Sequence, residues 1–236
     1  MEAIVLAGGQ ATRLGDAARG HPKALVPIAG HPLAEYQVAQ LVRAGVERII
    51  VSCAAGMAAL FEAKLAGLGA EIVAVAESEP LGRGGGLRYA AEYREESGPL
   101  YALNGDELTD VDLRALLEAH EEHGGAATIV VAPLTSQFGV VELANGDRIT
   151  GFREAPRLPH WVNAGLYVLD DEALERLPER GDHEQSTFPK LAQEGKLFAF
   201  RHEGLWITVN TPKDLQRAET HYESHPELRP TLARNR

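Results

Sequence analysis

Short apolar runs alternate with helical patterns through the first 110 residues, and this alternation restricts the fold more than any other feature of the sequence. Four runs have the composition of buried strands: AIVL, RIIVSC, AEIVAVA and PLYALNGD. Between these runs, segments 32–45, 57–69 and 85–96 place their apolar residues at helical spacing. Strands that alternate with helices of this length need right-handed crossovers. We therefore predict a Rossmann-like α/β fold with a mixed, mostly parallel sheet covered by helices.

The second half of the chain has a different pattern, which predicts a small antiparallel extension. A helix with Leu113 on its inner face is predicted to end at Gly124, and the runs AATIVVAP and WVNAGLYVL are predicted strands. Between these strands, FGVVELANGDRITGFRE predicts a hairpin turned at Asn145–Gly146. Near the end of the chain, Thr211 is the expected N-cap of the last helix, and Asp214 completes a capping box.

Composition argues against two classes of function. The 236 residues carry a net charge of −11 without a basic stripe, so a nucleic-acid surface is not expected. Neither a membrane span of roughly 20 apolar residues nor a secretory signal is recognisable. Cys53 is the only cysteine, which rules out an internal disulfide and favours a reducing, cytoplasmic location. Its apolar neighbours indicate a small core residue rather than a nucleophile. The sequence leaves the oligomeric state open.

The first predicted strand leads into the polar segment AIVLAGGQATRLGDAARGHPKALVPIAGHP (3–32). This segment is not a P-loop, because the string GxxxxGK[ST] is absent and Lys23 lies far beyond the glycines. It also lacks the GxGxxG pattern of dinucleotide-binding loops, since Gly8–Gly9 are adjacent. A glycine pair alone is weak support, because tight turns use glycine for conformational reasons. The pair becomes more informative with the cations Arg13 and Lys23 close behind it.

The whole segment resembles the sugar-phosphate nucleotidyltransferases, whose pattern is LAGGxGTRLxP followed by PKxLxPVxGxPxxxY. The likeness continues in the same order through most of the chain. The similar segments are EPLGRGGGLRYA (79–90), LYALNGDELTDVDL (100–113), FGVVELANGDRITGFREAP (138–156), VNAGLYVLD (162–170), STFPKLAQEG (186–195) and LWITVNTPKDL (205–215). The EPLG segment resembles mannose-1-phosphate guanylyltransferases, and NTPKDL is similar to the ending of molybdenum-cofactor guanylyltransferases.

This resemblance implies the nucleotide-diphospho-sugar transferase fold and a sugar-1-phosphate nucleotidyltransferase activity of the EC 2.7.7 type. The substrates would be an NTP and a sugar-1-phosphate, the cofactor Mg²⁺, and the products an NDP-sugar and pyrophosphate. Guanylyl transfer is favoured, while uridylyl and cytidylyl transfer stay open. One domain is expected over 1–225, with a nucleotide-binding half (about 1–110) and a sugar-binding half (111–225), followed by a tail (226–236).

The same resemblance implies roles for individual residues. Arg13 and Lys23 would bind phosphates, and Asp106 would hold the metal. The implied nucleotide-binding residues are Leu6, Ala7, Gly8, Gly9, Glu77, Gly82 and Gly85, and the implied sugar-binding residues are Gly139, Glu154 and Asn163. Two anions have to be brought together, so catalysis would depend on positioning and charge neutralisation rather than on a covalent nucleophile.

Two departures from the family pattern concern alanines. Ala11 replaces a glycine, which is tolerated where the backbone φ is negative. Ala155 replaces the lysine of FxEKP, which contacts the sugar phosphate in the family. Strand alternation places residues 153 and 155 on one face, so Arg153 is a candidate to replace that lysine, and Arg157 is another.

A third departure is Thr208, which replaces the second metal-binding aspartate of WxDxG. Asp106 would then be the main metal ligand, with Asn210 as a candidate donor of an amide oxygen. Arg83 also replaces a threonine beside the implied base site. These changes leave two hypotheses: an active nucleotidyltransferase, which we favour, and a non-catalytic nucleotide- or sugar-binding homologue, for which Ala155 and Thr208 are the grounds.

Overall fold

The computed structural model describes residues 1–230 and follows the predicted alternation of strands and helices. The strands are β1 (Glu2–Leu6), β2 (Pro27–Ile28), β3 (His31–Pro32), β4 (Arg48–Ala54), β5 (Glu71–Glu77), β6 (Leu100–Asn104), β7 (Glu107–Thr109), β8 (Ala127–Thr135), β9 (Val140–Leu143), β10 (Ile149–Arg153), β11 (Arg157–Leu169), β12 (Leu197–Arg201) and β13 (Trp206–Thr208). The α-helices are α1 (Leu33–Ala44), α2 (Ala58–Leu65), α3 (Gly82–Ala91), α4 (Leu113–His123), α5 (Asp171–Glu175), α6 (Thr187–Gln193) and α7 (Pro212–Ser224). Short 3-10 helices cover Thr12–Ala18, Lys23–Leu25 and Pro226–Leu228.

The centre of the described part is one seven-stranded sheet with the order β12-β8-β11-β6-β1-β4-β5. β1 pairs in parallel with β4 and β6, and β4 pairs in parallel with β5. β11 is antiparallel to β6 and β8, so the sheet is mixed, as predicted. Strands from both halves of the chain share this sheet. The predicted hairpin, β9 and β10, forms a separate antiparallel pair.

Both faces of the central sheet are covered by apolar packing, which is why its strands read as continuous apolar runs. Along β1, Ala3 and Val5 pack into one core with α1, α2 and α4, whereas Ile4 packs into another with α3, α5 and α6. Cys53 lies fully buried in the first core, and burial raises the pKa of its thiol to about 11. It is a core residue, as the sequence indicated.

A third apolar cluster fixes the segments that carry the polar site. It joins Leu14 of the first 3-10 helix, Val26 beyond the second, and Leu215 of α7. Ile207, in the middle of β13, and Val209, just after this strand, belong to the same cluster. Segments that are far apart in the sequence are thereby held against one another at one end of the sheet.

The third predicted helix differs most from its prediction. It begins at Gly82 and ends at Ala91, before the predicted end at Glu96. The buried carboxylate of Glu2 accepts hydrogen bonds from the backbone amides of Glu95, at 3.0 Å, and Glu96, at 3.1 Å. In a longer helix these amides would donate to helical carbonyl groups. Glu2 binds them instead, which ends the helix early.

The last helix begins as predicted. Thr211 Oγ1 accepts from the backbone amide of Asp214 at 3.3 Å, and the Asp214 carboxylate accepts from the amide of Thr211 at 2.8 Å. The predicted tail starts with the 3-10 helix Pro226–Leu228, and its residues 231–236 lie outside the described residues. Within residues 1–230, every helix is too short or too polar to cross a bilayer.

Glu2 provides a test of this arrangement. Its side chain is 2% exposed and lies 3.6 Å from both Arg48 Nε and Arg94 Nε. Glu2→Gln leaves two guanidinium groups without their buried anion, so we expect the free energy of unfolding in urea to fall by about 3 kcal/mol. Glu71→Gln is the matched control, because Glu71 is 61% exposed and 3.9 Å from the same Arg48. Its effect should stay within about 0.5 kcal/mol. Equal losses in both variants would contradict the role given to Glu2.

Candidate active site

A cleft of about 810 Å³ opens at the carboxyl ends of β1, β4, β5 and β6. Parallel strands end at the same edge of a sheet, and open α/β sheets bind ligands outside this edge. Many residues predicted for phosphate, metal or nucleotide line the cleft: Leu6, Ala7, Gly8, Gly9, Arg13, Lys23, Glu77, Gly82 and Asp106. The predicted residues outside this lining are Gly85, Gly139, Glu154 and Asn163.

The loop after β1 offers backbone donors to the cleft. Among residues 1–230, the amides of Gly8, Gly9 and Gln10 have no hydrogen-bond acceptor. Successive amides of this kind form concave anion-binding sites. A Cβ atom on Gly9 would lie 3.9 Å from Lys23 Cδ, which is an ordinary van der Waals distance, so this loop passes directly beside the lysine. Ala11, which replaces the family's glycine, has a φ of −80° and is unstrained.

The side-chain amide of Asn210 brings both predicted cations to one point. Its Oδ1 accepts from Lys23 Nζ at 2.7 Å and from Arg13 Nη2 at 2.9 Å. Lys23 Nζ also forms an ion pair with Asp106 Oδ2. The structure therefore brings Arg13, Lys23 and Asp106 together, and it places the Asn210 amide oxygen next to them.

Asp106 is fixed by its backbone neighbours. The amide of Gly105 donates to the carbonyl of Leu6 at 2.8 Å, and a Cβ atom on residue 105 would lie only 2.3 Å from that oxygen. Only glycine allows this approach of the loop after β6 to the end of β1. On the other side, the carbonyl of Asp106 accepts from the amide of Val209 at 2.8 Å. These contacts hold Asp106 between β1 and the segment that leads into α7.

Glu107 is a functional candidate that sequence reasoning missed. It lines the cleft directly after Asp106 and is 8% exposed. Its Oε2 accepts hydrogen bonds from Trp206 Nε1 and Thr208 Oγ1, both at 2.8 Å. Burial, followed by the nearby Asp106 carboxylate, raises the pKa of Glu107 to about 8. The signal in the sequence was a second carboxylic acid at the end of a buried strand.

Glu77 joins the cleft to the loop before α3. Its Oε1 accepts from Ser52 Oγ at 2.8 Å, and its Oε2 accepts from the backbone amide of Leu81 at 2.9 Å. Both oxygens are therefore engaged within the protein while the side chain lines the cleft. This arrangement fixes the loop that was predicted to contact the base.

Gly82 and Gly85 allow α3 to pack closely against the turn formed by residues 179–181. Gly82 has a φ of +79°, and a Cβ atom there would lie 2.6 Å from the carbonyl oxygen of Gly181. A Cβ atom on Gly85 would lie 2.6 Å from the carbonyl oxygen of Glu179. Gly82 also lines the cleft, whereas Gly85 is in a packing contact with this turn.

Arg83 connects the cleft to the cluster Asp182–Glu184. Its Nε donates to Asp182 Oδ2 at 3.1 Å, and its terminal nitrogens donate to the Glu184 oxygens at 2.8 and 2.9 Å. In the described part of the chain, Asp182, His183 and Glu184 have ligand atoms close enough for a metal. Arg83 already pairs with both carboxylates, so we assign no metal to them. Burial lowers the pKa of His183 to about 4, which keeps its ring neutral.

The predicted sugar-binding residues form two groups outside the cleft lining. Gly139 and Glu154 are adjacent, since a Cβ atom on Gly139 would lie 3.0 Å from Glu154 Oε2. Asn163 Nδ2 donates to Glu184 Oε1 at 2.8 Å and to Tyr167 OH at 2.9 Å. Through Glu184, Asn163 belongs to the same network as Arg83 at the edge of the cleft.

The proposed replacement for the missing lysine at position 155 is not supported. β10 ends at Arg153, and Ala155 has a φ of +43°, so strand alternation does not extend to it. Arg153 Nη2 lies 3.4 Å from Glu142, and Arg157 Nη1 lies 3.1 Å from Glu203. Neither arginine lines the cleft.

The oxygen atoms around Asp106 suit a hard divalent cation. Asp106 and Glu107 offer carboxylates, Asn210 offers an amide oxygen and Thr208 offers a hydroxyl, and all four residues line the same cleft. Mg²⁺ prefers such oxygen ligands and usually takes one or two protein carboxylates together with phosphates and waters. The residues present therefore fit Mg²⁺.

Solved structures share this fold. HddC from Yersinia pseudotuberculosis has a TM-score of 0.74 at 25% sequence identity, covering 94% of this chain and 99% of that one. The inositol-1-phosphate CTP transferase from T. maritima has a TM-score of 0.74 at 24% identity, covering 98% of this chain and 97% of that one. The predicted nucleotide-diphospho-sugar transferase fold is confirmed.

Sequence comparison identifies the family. Mannose-1-phosphate guanylyltransferase catalytic subunit beta from Xenopus tropicalis is 35% identical, covering 96% of this chain and 67% of that protein. Mannose-1-phosphate guanyltransferase from Saccharomyces cerevisiae is 32% identical, covering 91% of this chain and 62% of that protein. This chain spans about two thirds or less of the length of these relatives. The nucleotidyl transferase family model matches residues 2–225, and the chain belongs to this family.

Proposed function

We propose that the protein transfers a nucleoside monophosphate from an NTP to a sugar-1-phosphate, giving an NDP-sugar and pyrophosphate. One observation carries this proposal: the unpaired amides of the Gly8–Gln10 loop share a cleft with Arg13, Lys23 and Asp106. Backbone donors and two cations form a site for a phosphate chain, and the carboxylate forms a site for its metal. The relatives named as mannose-1-phosphate guanylyltransferases support the same reaction.

The residues present suit a direct displacement. An oxygen of the sugar phosphate attacks the α-phosphorus, a new P–O bond forms, and the bond to the pyrophosphate oxygen breaks. Both reactants are anions, so the barrier falls mainly through orientation and charge neutralisation. Arg13 and Lys23 would neutralise phosphate oxygens, and the Gly8–Gln10 amides would orient the chain of phosphates. No covalent nucleophile is required, which agrees with the buried, unreactive Cys53.

We assign Mg²⁺ to Asp106, with Asn210 beside it. When bound there, Mg²⁺ would neutralise negative charge that develops on the phosphates during transfer. In the structure, Lys23 pairs with Asp106 and Asn210, so the two acceptors hold the lysine where the phosphates would bind.

The buried single cysteine, Cys53, supports a cytoplasmic location.

GTP and mannose-1-phosphate are the substrates that we propose first. The relatives at 32–36% identity are named for this pair, and HddC was solved in complex with GMP-PN. The alternative is a non-catalytic binding homologue. It is favoured by one observation: position 155 carries an alanine, and neither Arg153 nor Arg157, the candidates to replace the family's lysine, lines the cleft.

Pyrophosphate release across a panel of NTPs and sugar phosphates tests this proposal. We expect product from GTP with mannose-1-phosphate in the presence of Mg²⁺, and chelation by EDTA should abolish it. The same NTPs are examined in parallel by Mg²⁺-dependent thermal shift. Stabilisation by nucleotides without product from any pair would favour the binding homologue instead.

Asp106→Asn tests the metal carboxylate. We expect kcat to fall by at least about 100-fold, because a neutral amide binds the cation more weakly and no longer offsets the positive charge of Lys23. The unfolding temperature should stay close to that of the parent protein. Asp147→Asn, in the hairpin turn, makes the same chemical change away from the cleft and should retain activity. Full activity of Asp106→Asn would remove Asp106 from the metal role.

Asn210→Ala tests the shared acceptor. Arg13 and Lys23 lose the oxygen that aligns them, so we expect the KM for the NTP to rise by about tenfold. Asn145→Ala, at the exposed hairpin turn, is the control and should leave KM unchanged. An unchanged KM in the Asn210 variant would show that the cations are positioned without this amide.

A further inference from the structure

Glu107 carries an unused carboxylate oxygen at the cleft. Its Oε2 is occupied by Trp206 and Thr208, whereas Oε1 has no hydrogen-bond partner among residues 1–230. The residue is 8% exposed and still lines the cleft. A carboxylate oxygen without a partner in the protein is a potential ligand for a cation that enters the cleft.

The cations of the described chain do not bind this oxygen. Lys23 Nζ is bound to Asp106 and to Asn210, and Arg13 Nη2 is also bound to Asn210. A partner for this oxygen would therefore be a ligand of the cleft. A divalent ion beside Asp106 would be such a partner, because Glu107 lines the same cleft.

The strand pairing keeps this carboxylate in place. Glu107 of β7 is the register partner of Thr208 in antiparallel β13, and the Thr208 hydroxyl donates to the Glu107 carboxylate. The Trp206 indole donates to the same oxygen and fixes the side chain from a second direction. The orientation of Glu107 is thus set by two donors, and its other oxygen remains available.

On the basis of the proposed function, we propose that Glu107 supplies the second carboxylate to the divalent cation held by Asp106. Thr208 stands where the family pattern has an aspartate, and the carboxylate is contributed here from the opposite strand of the β7–β13 pair. Thr208 acts as the positioning residue for Glu107. Glu107, positioned by Thr208, would thereby replace the carboxylate that the family's aspartate supplies at position 208.

A purely structural role makes a different prediction. In that case Glu107 would only anchor Trp206 and Thr208, and its replacement would lower stability without changing metal affinity. Glu107→Gln keeps the size of the side chain and can still accept from Trp206, but it lacks the negative charge. Metal affinity and stability can therefore be measured separately on one variant.

Binding of Mn²⁺, measured by electron paramagnetic resonance with a non-hydrolysable NTP analogue, tests the proposal. We expect Glu107→Gln to bind Mn²⁺ at least about tenfold more weakly than the parent protein. Glu79→Gln is the control, because Glu79 lines the same cleft but its side chain is 59% exposed and paired with Arg180. Its Mn²⁺ affinity should be unchanged. Equal affinities of parent and Glu107→Gln would overturn the proposal.

A second variant tests the proposed exchange of the carboxylate between the two strands. Thr208→Asp in the Glu107→Gln background returns one carboxylate from the other strand, and we expect it to recover most of the Mn²⁺ affinity. A double variant that folds and binds no better than Glu107→Gln would contradict the exchange. If the parent protein itself binds no Mn²⁺, the assignment of a metal to Asp106 fails as well. Failure of the role of Glu107 is thus distinguishable from failure of the metal site itself.

Discussion

One neutral oxygen, Asn210 Oδ1, accepts hydrogen bonds from two cations, and the candidate site depends on this interaction. Arg13 and Lys23 repel each other and converge only where acceptors and an anion offset that repulsion. Asn210 supplies the acceptor, and Asp106 supplies the anion through its ion pair with Lys23. These residues come from three distant parts of the chain, so the site exists only when the third apolar cluster has brought them together.

The part of the site that follows β1 and β6 could be predicted from the sequence. Gly8–Gly9 and Asp106 come directly after buried strands, and the ends of parallel strands meet at one edge. The capping box at Thr211 was equally predictable, because its partners are close in sequence. Glu107 follows the same strand as Asp106, but the hydrogen bonds that orient it could not be predicted. They depend on Trp206, which lies 99 residues further along the chain.

The surroundings of the predicted sugar-binding residues were harder to predict, because they depend on side-chain networks rather than on strand ends. Asn163 was predicted from its motif, and in the structure its amide donates to Glu184, which is itself paired with Arg83. A motif gives no sign of such a chain of contacts. The interpretation of residues 153–155 as a regular strand was wrong, because a positive φ at Ala155 turns the backbone away. Periodicity describes a strand only up to the residue where it ends.

The balance of charge in the cleft explains how an acidic chain can present a phosphate site. The cations Arg13, Lys23 and Arg83 share the lining with the carboxylic acids Glu77, Glu79, Asp106 and Glu107, so the cleft itself has little net attraction for a bare triphosphate. Charges elsewhere on the protein are screened beyond about 10 Å at moderate salt. Recognition therefore depends on short-range donors, which are Arg13, Lys23 and the amides of Gly8–Gln10. Carboxylates in the same cleft then favour a phosphate chain that carries a divalent ion over one that does not.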